Sequence, residues 1–134
     1  MLVGLVWGII VPQTPYPRLA LGAHIQLTGS GIMFLVAGLV IAHLNLGIRG
    51  FSRFMFLITP WIIWPMALSE VANAWWGTSK MLAIVAHQGG AAGAAPWKEA
   101  IVAITHIVAS LFIIVYWGII LWELRSKPTA IAEA

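Results

Sequence analysis

His24 stands at the head of an apolar run. It closes the stretch PRLALGAH from Pro17 to His24, and the residues behind it, Ile25 to Ala42, carry no charge. An imidazole at the mouth of a membrane helix needs a hydrogen bond, water or a metal, and ionisable groups in such segments are costly enough to mark functional sites. Residues at i+4 and i+7 share a helical face, and here they are Thr28 and Gly31, with Gly29 and Ser30 completing Thr-Gly-Ser-Gly. A histidine above so bare a surface leaves room for a flat ligand, and haem with an axial imidazole fits. The same small residues equally let two membrane helices approach closely.

A second polar group lies further along. Glu70 and Asn73 share a face at i, i+3, with Ser69 and Gly77 beside them. A carboxyl inside an apolar segment is a proton donor, a partner for His24 or His106, or a structural bond between helices. His106 stands alone on an apolar stretch and reads as a core histidine or as a second axial ligand. His87 reads as a loop residue, and His43, near Asn45, as interfacial. No two histidines stand at i, i+4 and there is no HExxH, which argues against a dedicated zinc or di-iron centre. Walker, GxGxxG and GxSxG patterns are also missing. With no cysteine, thiolate catalysis, iron–sulfur clusters and disulfides are excluded.

These groups are carried by membrane elements. Of 134 residues, 61% are hydrophobic and 8% charged. A soluble domain is roughly 25% charged. Mean hydropathy is +0.96. The chain reads as a single all-α membrane domain over residues 1–134, a four-helix bundle with apolar segments at about 1–11, 19–46, 54–77 and 97–124. The first covers about half a bilayer at roughly 1.5 Å per residue, and it is either a half-helix covered by its neighbours or the end of a longer one. Pro12, Pro15 and Pro17 force an extended turn after it. Pro60 and Pro65 predict kinks in the third segment. Met81 to Ala86 extends the pattern of that helix, and Gly89 to Ala95 has no shape of its own. Arg49, Arg53, Arg125 and Lys127 mark one end; Arg18, Lys80 and Lys98 mark the other. The positive-inside rule makes the first group, and both termini, cytoplasmic. Trp7, Trp61, Trp97 and Trp122 lie near segment ends and read as interface anchors. The net charge of +3 suits anionic lipid headgroups, and nothing points to nucleic acid.

The run VPQTPYPRLALGAHIQLTGSG, from Val11 to Gly31, resembles the hydroxylaminobenzene mutases and styrene oxide isomerases. Ala23-His24 and Gly31 match, as do Ala72-Asn73 with Trp75, and PWKEA from Pro96 to Ala100; the likeness runs to about Leu124. The resemblance implies a homotrimer binding haem b, with His24 as axial iron ligand and the iron as Lewis acid on a substrate oxygen. The substrate is then a small apolar aromatic molecule, either an aryl hydroxylamine rearranged to an aminophenol or an epoxide rearranged to an aldehyde. Three positions depart from that pattern. The family's asparagine six residues after the histidine is Ser30, its glycine three residues after is Leu27, and the isomerases' tyrosine four residues after the second asparagine is Gly77.

The leading expectation is a haem-dependent isomerase or mutase of the bacterial cytoplasmic (inner) membrane. In it His24, with Thr28 and Gly31, holds the haem, and Asn73, Glu70 and Ser30 form the polar side of the substrate site. One alternative is a non-catalytic membrane subunit packed in a larger complex. Another is an electron carrier with His24 and His106 both on the iron.

Overall fold

A computed structural model describes residues 1–43 and 49–126, and among these every regular element is helical. The first apolar segment forms α1 (Leu2–Ile10), followed by one 3₁₀ turn over Val11–Gln13. Thr14 is extended, with ψ at 153°, as the residue before a proline is driven to be. Next come α2 (Pro17–His43) and α3 (Gly50–Trp76), then a short α4 (Ala83–Gln88) and α5 (Pro96–Ser126). Pro17 and Pro96 open their helices, where a missing N–H costs nothing and φ is already helical. Three helices, α2, α3 and α5, are long and apolar enough to cross a membrane. The protein is thus an integral membrane helical bundle with a short first helix.

Several boundaries differ from the sequence expectation. Both spanning helices α2 and α5 begin earlier, at their prolines. The expected end of the second segment at Leu46, Asn45 beside it, and Lys127 lie outside the described residues. Met81 to Ala86 does not extend α3. That helix stops at Trp76, because Gly77 adopts the left-handed conformation with φ 65° and ψ 39°. Its N–H returns to the Asn73 carbonyl at 3.0 Å, as in a glycine-terminated helix. Helical geometry resumes separately in α4. Both internal prolines sit within an unbroken α3.

The helices pack antiparallel in sequence order. Gly8 meets His24, Gly4 meets Thr28, and Gly31 meets Met1, so α1 runs back along α2. The α2–α3 seam is built from Ala20, Ala23, Leu27, Ala67 and Ala74, mostly small side chains of the kind that bring membrane helices close. On its other side α3 meets α5. Ile63 and Met66 pack on Ala109. The Tyr116 ring sits edge-on to Phe56 at 4.8 Å and to Phe34 at 5.5 Å, the geometry that aromatic quadrupoles favour. With neighbours on both sides, α3 is the most enclosed of the three spanning helices. The outward faces are apolar, with Trp61 at 71% and Trp122 at 72% exposure, as lipid contact requires. Trp7 departs from the anchor reading: it is buried, and its indole Nε1–H donates to the Ala20 carbonyl at 2.8 Å.

Candidate functional site

His24 is half-buried, about two turns into α2. Its Nδ1–H donates to the Gly4 carbonyl of α1 at 2.8 Å. A carbonyl can only accept, so the ring donates from Nδ1, and the neutral imidazole then carries its lone pair on Nε2. Gly8 makes the approach possible, since a Cβ there would lie 2.8 Å from Nδ1 and 2.9 Å from Cε1 of the ring. The helical face below His24 is not bare. Thr28 touches Gly4, where an added Cβ would lie 2.5 Å from the Thr28 hydroxyl, and Gly31 lies against Met1. The small residues of α2 therefore seat α1, and α1 in turn orients the imidazole.

A second polar centre lies between α3 and α5. Ser69 and Thr105 share a hydroxyl–hydroxyl hydrogen bond of 2.8 Å. One residue further along each helix, Glu70 Oε1 lies 2.6 Å from His106 Nε2, with both residues buried. His106 Nδ1–H donates to the Val102 carbonyl at 2.7 Å. With that proton committed, the short contact holds one more proton between Nε2 and Oε1. Of the two partners open to Glu70, the structure selects His106. Both nitrogens of His106 are engaged, so it is not available as a second axial ligand without breaking this pair.

Asn73 caps α3. Its Oδ1 accepts the Thr78 N–H at 2.8 Å, while its Nδ2 has no partner. Glu70 Oε2 and the Thr78 hydroxyl are likewise buried and unpartnered. Glu70 and Asn73 thus fall together, one turn apart on one helix, whereas His24 and Ser30 belong to the α1–α2 side.

Ser30 lines a cleft of about 600 Å³ between α1, α2 and α3. Its other walls are apolar, among them Phe34, Leu35, Ile63, Trp64 and Ala67. The Ser30 hydroxyl oxygen accepts from Gln26 Nε2 at 3.0 Å, which leaves its hydrogen uncommitted. The cleft lies on the same side of α2 as Leu27 and Gly31, one to two turns below His24.

Sequence reasoning missed the residue that shapes the glycine-rich loop. Glu99, buried in the first turn of α5, accepts the N–H groups of Ser79 at 2.9 Å, Lys80 at 3.0 Å and Ala94 at 3.1 Å. One carboxylate thereby ties both ends of the α3–α5 connection to the helix N-terminus, where negative charge is also favoured. Tyr16 was another silent residue. Its ring lies over Gly77, where a Cβ would be 2.6 Å from Cε2.

Comparison with known proteins points to one family. Residues 1–125 match the family described as styrene oxide isomerase. The chain is 31% identical to hydroxylaminobenzene mutase HabB of Ectopseudomonas oleovorans over 128 residues, which is 95% of this chain and 76% of that protein. No solved structure matches it. Both names denote rearrangement within one molecule, which supports isomerase-type chemistry here. A membrane bundle of three spanning helices and a short first one, matched along nearly its whole length, belongs to the styrene oxide isomerase family.

Proposed function

We propose that this protein is a haem b-dependent membrane isomerase that rearranges a small aromatic molecule, of the aryl hydroxylamine or aryl epoxide class. The observation that carries the reading is the state of His24. Its Nδ1–H is held by a backbone carbonyl, the arrangement that orients a histidine ligand and leaves Nε2 basic for a metal. His24 would hold haem b through that nitrogen, and the iron would supply Lewis acidity toward a substrate oxygen. Thr28 and Gly31 assist indirectly: they seat α1, whose Gly4 carbonyl fixes the ring.

The cleft beside Ser30 suits the substrate. Ligand sites commonly measure about 300–1,000 Å³ and combine apolar walls with few polar groups. This one has about 600 Å³. Phe34, Ile63 and Trp64 offer an apolar wall for an aromatic ring, and such a wall disfavours water that would trap a cationic charge. The uncommitted Ser30 hydrogen can donate to a substrate oxygen. Glu70 and Asn73 are the remaining polar candidates, each with one atom already committed and one free.

The assembly we propose is a homotrimer in the bacterial cytoplasmic membrane, with the Arg49, Arg53 and Arg125 end in the cytoplasm. The apolar outer faces of α3 and α5 are open to lipid or to further copies, and the four Lys and Arg residues that the sequence assigns to that end, Lys127 included, against three at the other favour that orientation. Turnover tests the activity. Purified protein loaded with haem and given phenylhydroxylamine should yield a product of unchanged mass and altered retention in liquid chromatography–mass spectrometry, and His24→Ala should not. If neither phenylhydroxylamine nor styrene oxide is converted, the isomerase reading fails.

A further inference from the structure

Three buried polar atoms near the end of α3 have no hydrogen-bond partner: Glu70 Oε2, Asn73 Nδ2 and the Thr78 hydroxyl. Their residues are 5%, 1% and 0% exposed, so bulk solvent does not satisfy them. Buried polar groups in folded proteins are almost always paired, with ordered water or a ligand where no protein group serves. The three atoms are also complementary. A carboxyl oxygen can accept, an amide nitrogen can only donate, and a hydroxyl does both. Each belongs to a side chain fixed through its other atom or its backbone. Glu70 Oε1 is held by His106, Asn73 Oδ1 accepts the Thr78 N–H, and Gly77 closes the turn between them. Glu70 and Asn73 are therefore each anchored through one atom and cannot easily turn away.

Side chains three apart on a helix have Cβ atoms about 5–6 Å apart. A single oxygen can bridge Glu70 and Asn73 at that spacing. We infer that Glu70 Oε2 and Asn73 Nδ2, with the Thr78 hydroxyl beside them, bind one hydroxyl group, which accepts from Asn73 and donates to Glu70. The hydroxyl belongs either to a water molecule or to a substrate that carries N–OH. None of the three residues lines the apolar cleft at Ser30, so this site is distinct from it. The inference rests on the burial of these atoms and not on the activity proposed above.

The test is a structure of the full chain in lipid nanodiscs, in a map fine enough to show ordered water, without and with phenylhydroxylamine. The expected result is one oxygen-sized density within hydrogen-bond distance of both Glu70 Oε2 and Asn73 Nδ2. If the density persists unchanged on addition of phenylhydroxylamine, the occupant is water. If it becomes continuous with an aromatic ring, the occupant is the substrate hydroxyl. Glu70→Gln keeps an acceptor at this place and should keep the density; Glu70→Leu should lose it. Absence of density in the unsubstituted protein under both conditions, a direct bond between the two side chains, or density retained in Glu70→Leu would overturn the inference. The unsubstituted maps decide the matter even if Glu70→Leu does not fold. Because the readout is structural, a protein that fails to turn over phenylhydroxylamine can still pass this test.

Discussion

Gly8→Ala is a change of one methyl group at a residue with no polar atom in its side chain, yet it should impair the proposed ligand histidine. The new Cβ would lie 2.8 Å from His24 Nδ1 and 2.9 Å from Cε1. Ordinary contacts between such atoms begin at about 3.4 Å, so the ring or α1 must move by roughly 0.6 Å. The His24–Gly4 bond is now 2.8 Å. A displacement of that size along it brings it to about 3.4 Å, past the range in which an N–H···O bond is effective. Losing a partner that orients a metal-binding histidine typically weakens metal affinity by about 10–100-fold, or about 1.4–2.8 kcal/mol. Overpacking of α1 on α2 should also lower stability by about 1–3 kcal/mol. The assay is titration of apo-protein in detergent with haem, followed at the Soret band, beside a thermal unfolding curve. Gly29→Ala is the control, since nothing lies within 4 Å of a Cβ there. In a helix that exchange favours stability by up to about 1 kcal/mol. If Gly8→Ala binds haem as the unsubstituted protein does, or if Gly29→Ala loses as much, the orienting role of Gly4 and Gly8 is refuted.

Other substitutions probe the remaining contacts. Glu99→Ala removes an acceptor shared by three backbone N–H groups. Each bond to a charged group contributes about 1.5–3 kcal/mol. Protease cleavage between Gly77 and Ala95 should then become markedly faster, and an unchanged rate would contradict the role of Glu99. Glu70→Leu leaves His106 Nε2 buried without its partner and should destabilise by about 1–3 kcal/mol in reversible unfolding. The double variant Glu70→Leu/His106→Leu should lose less than the two single losses added together; simple additivity would mean that the pair is not coupled. Gly77→Ala forces a side chain into the left-handed region and against the Tyr16 ring. It should cost at least about 1–2 kcal/mol. The expected readout is a lower unfolding temperature than that of Gly22→Ala, whose Cβ would meet nothing.

The sequence made the spanning elements legible because their signals are local. Long uncharged runs set α2, α3 and α5, and Gly77 closed the third run, whereas the true starts at Pro17 and Pro96 lie one or two residues before those the apolar runs suggest. α4 was hidden, since AIVAHQ is too short and too mixed to show a period. His24 was conspicuous as an ionisable group in an apolar run, but its orienting partner is a backbone carbonyl, which no residue type reveals. The glycines of α1 were the available clue: Gly4 and Gly8 lie one turn apart, the spacing at which a helix offers a bare face to a neighbour. Glu70 and His106 were each visible alone, and their pairing depended on the α3–α5 register, which the sequence leaves open. Trp7 reads as an interface anchor from its position near a segment end. It is instead buried because α1 folds back along α2 and brings the indole to Ala20. Glu99 was silent because its three partners come from two distant parts of the connection.

Whether His24 carries haem in this chain is tested most directly by an absorption spectrum of the purified protein. The protein, expressed with ample haem, is measured beside His24→Ala, each oxidised and then reduced with dithionite. The predicted result is a Soret band of b-type haem at about one haem per chain, absent from His24→Ala. A Soret band of equal strength in the variant, or no haem in either protein, would contradict it.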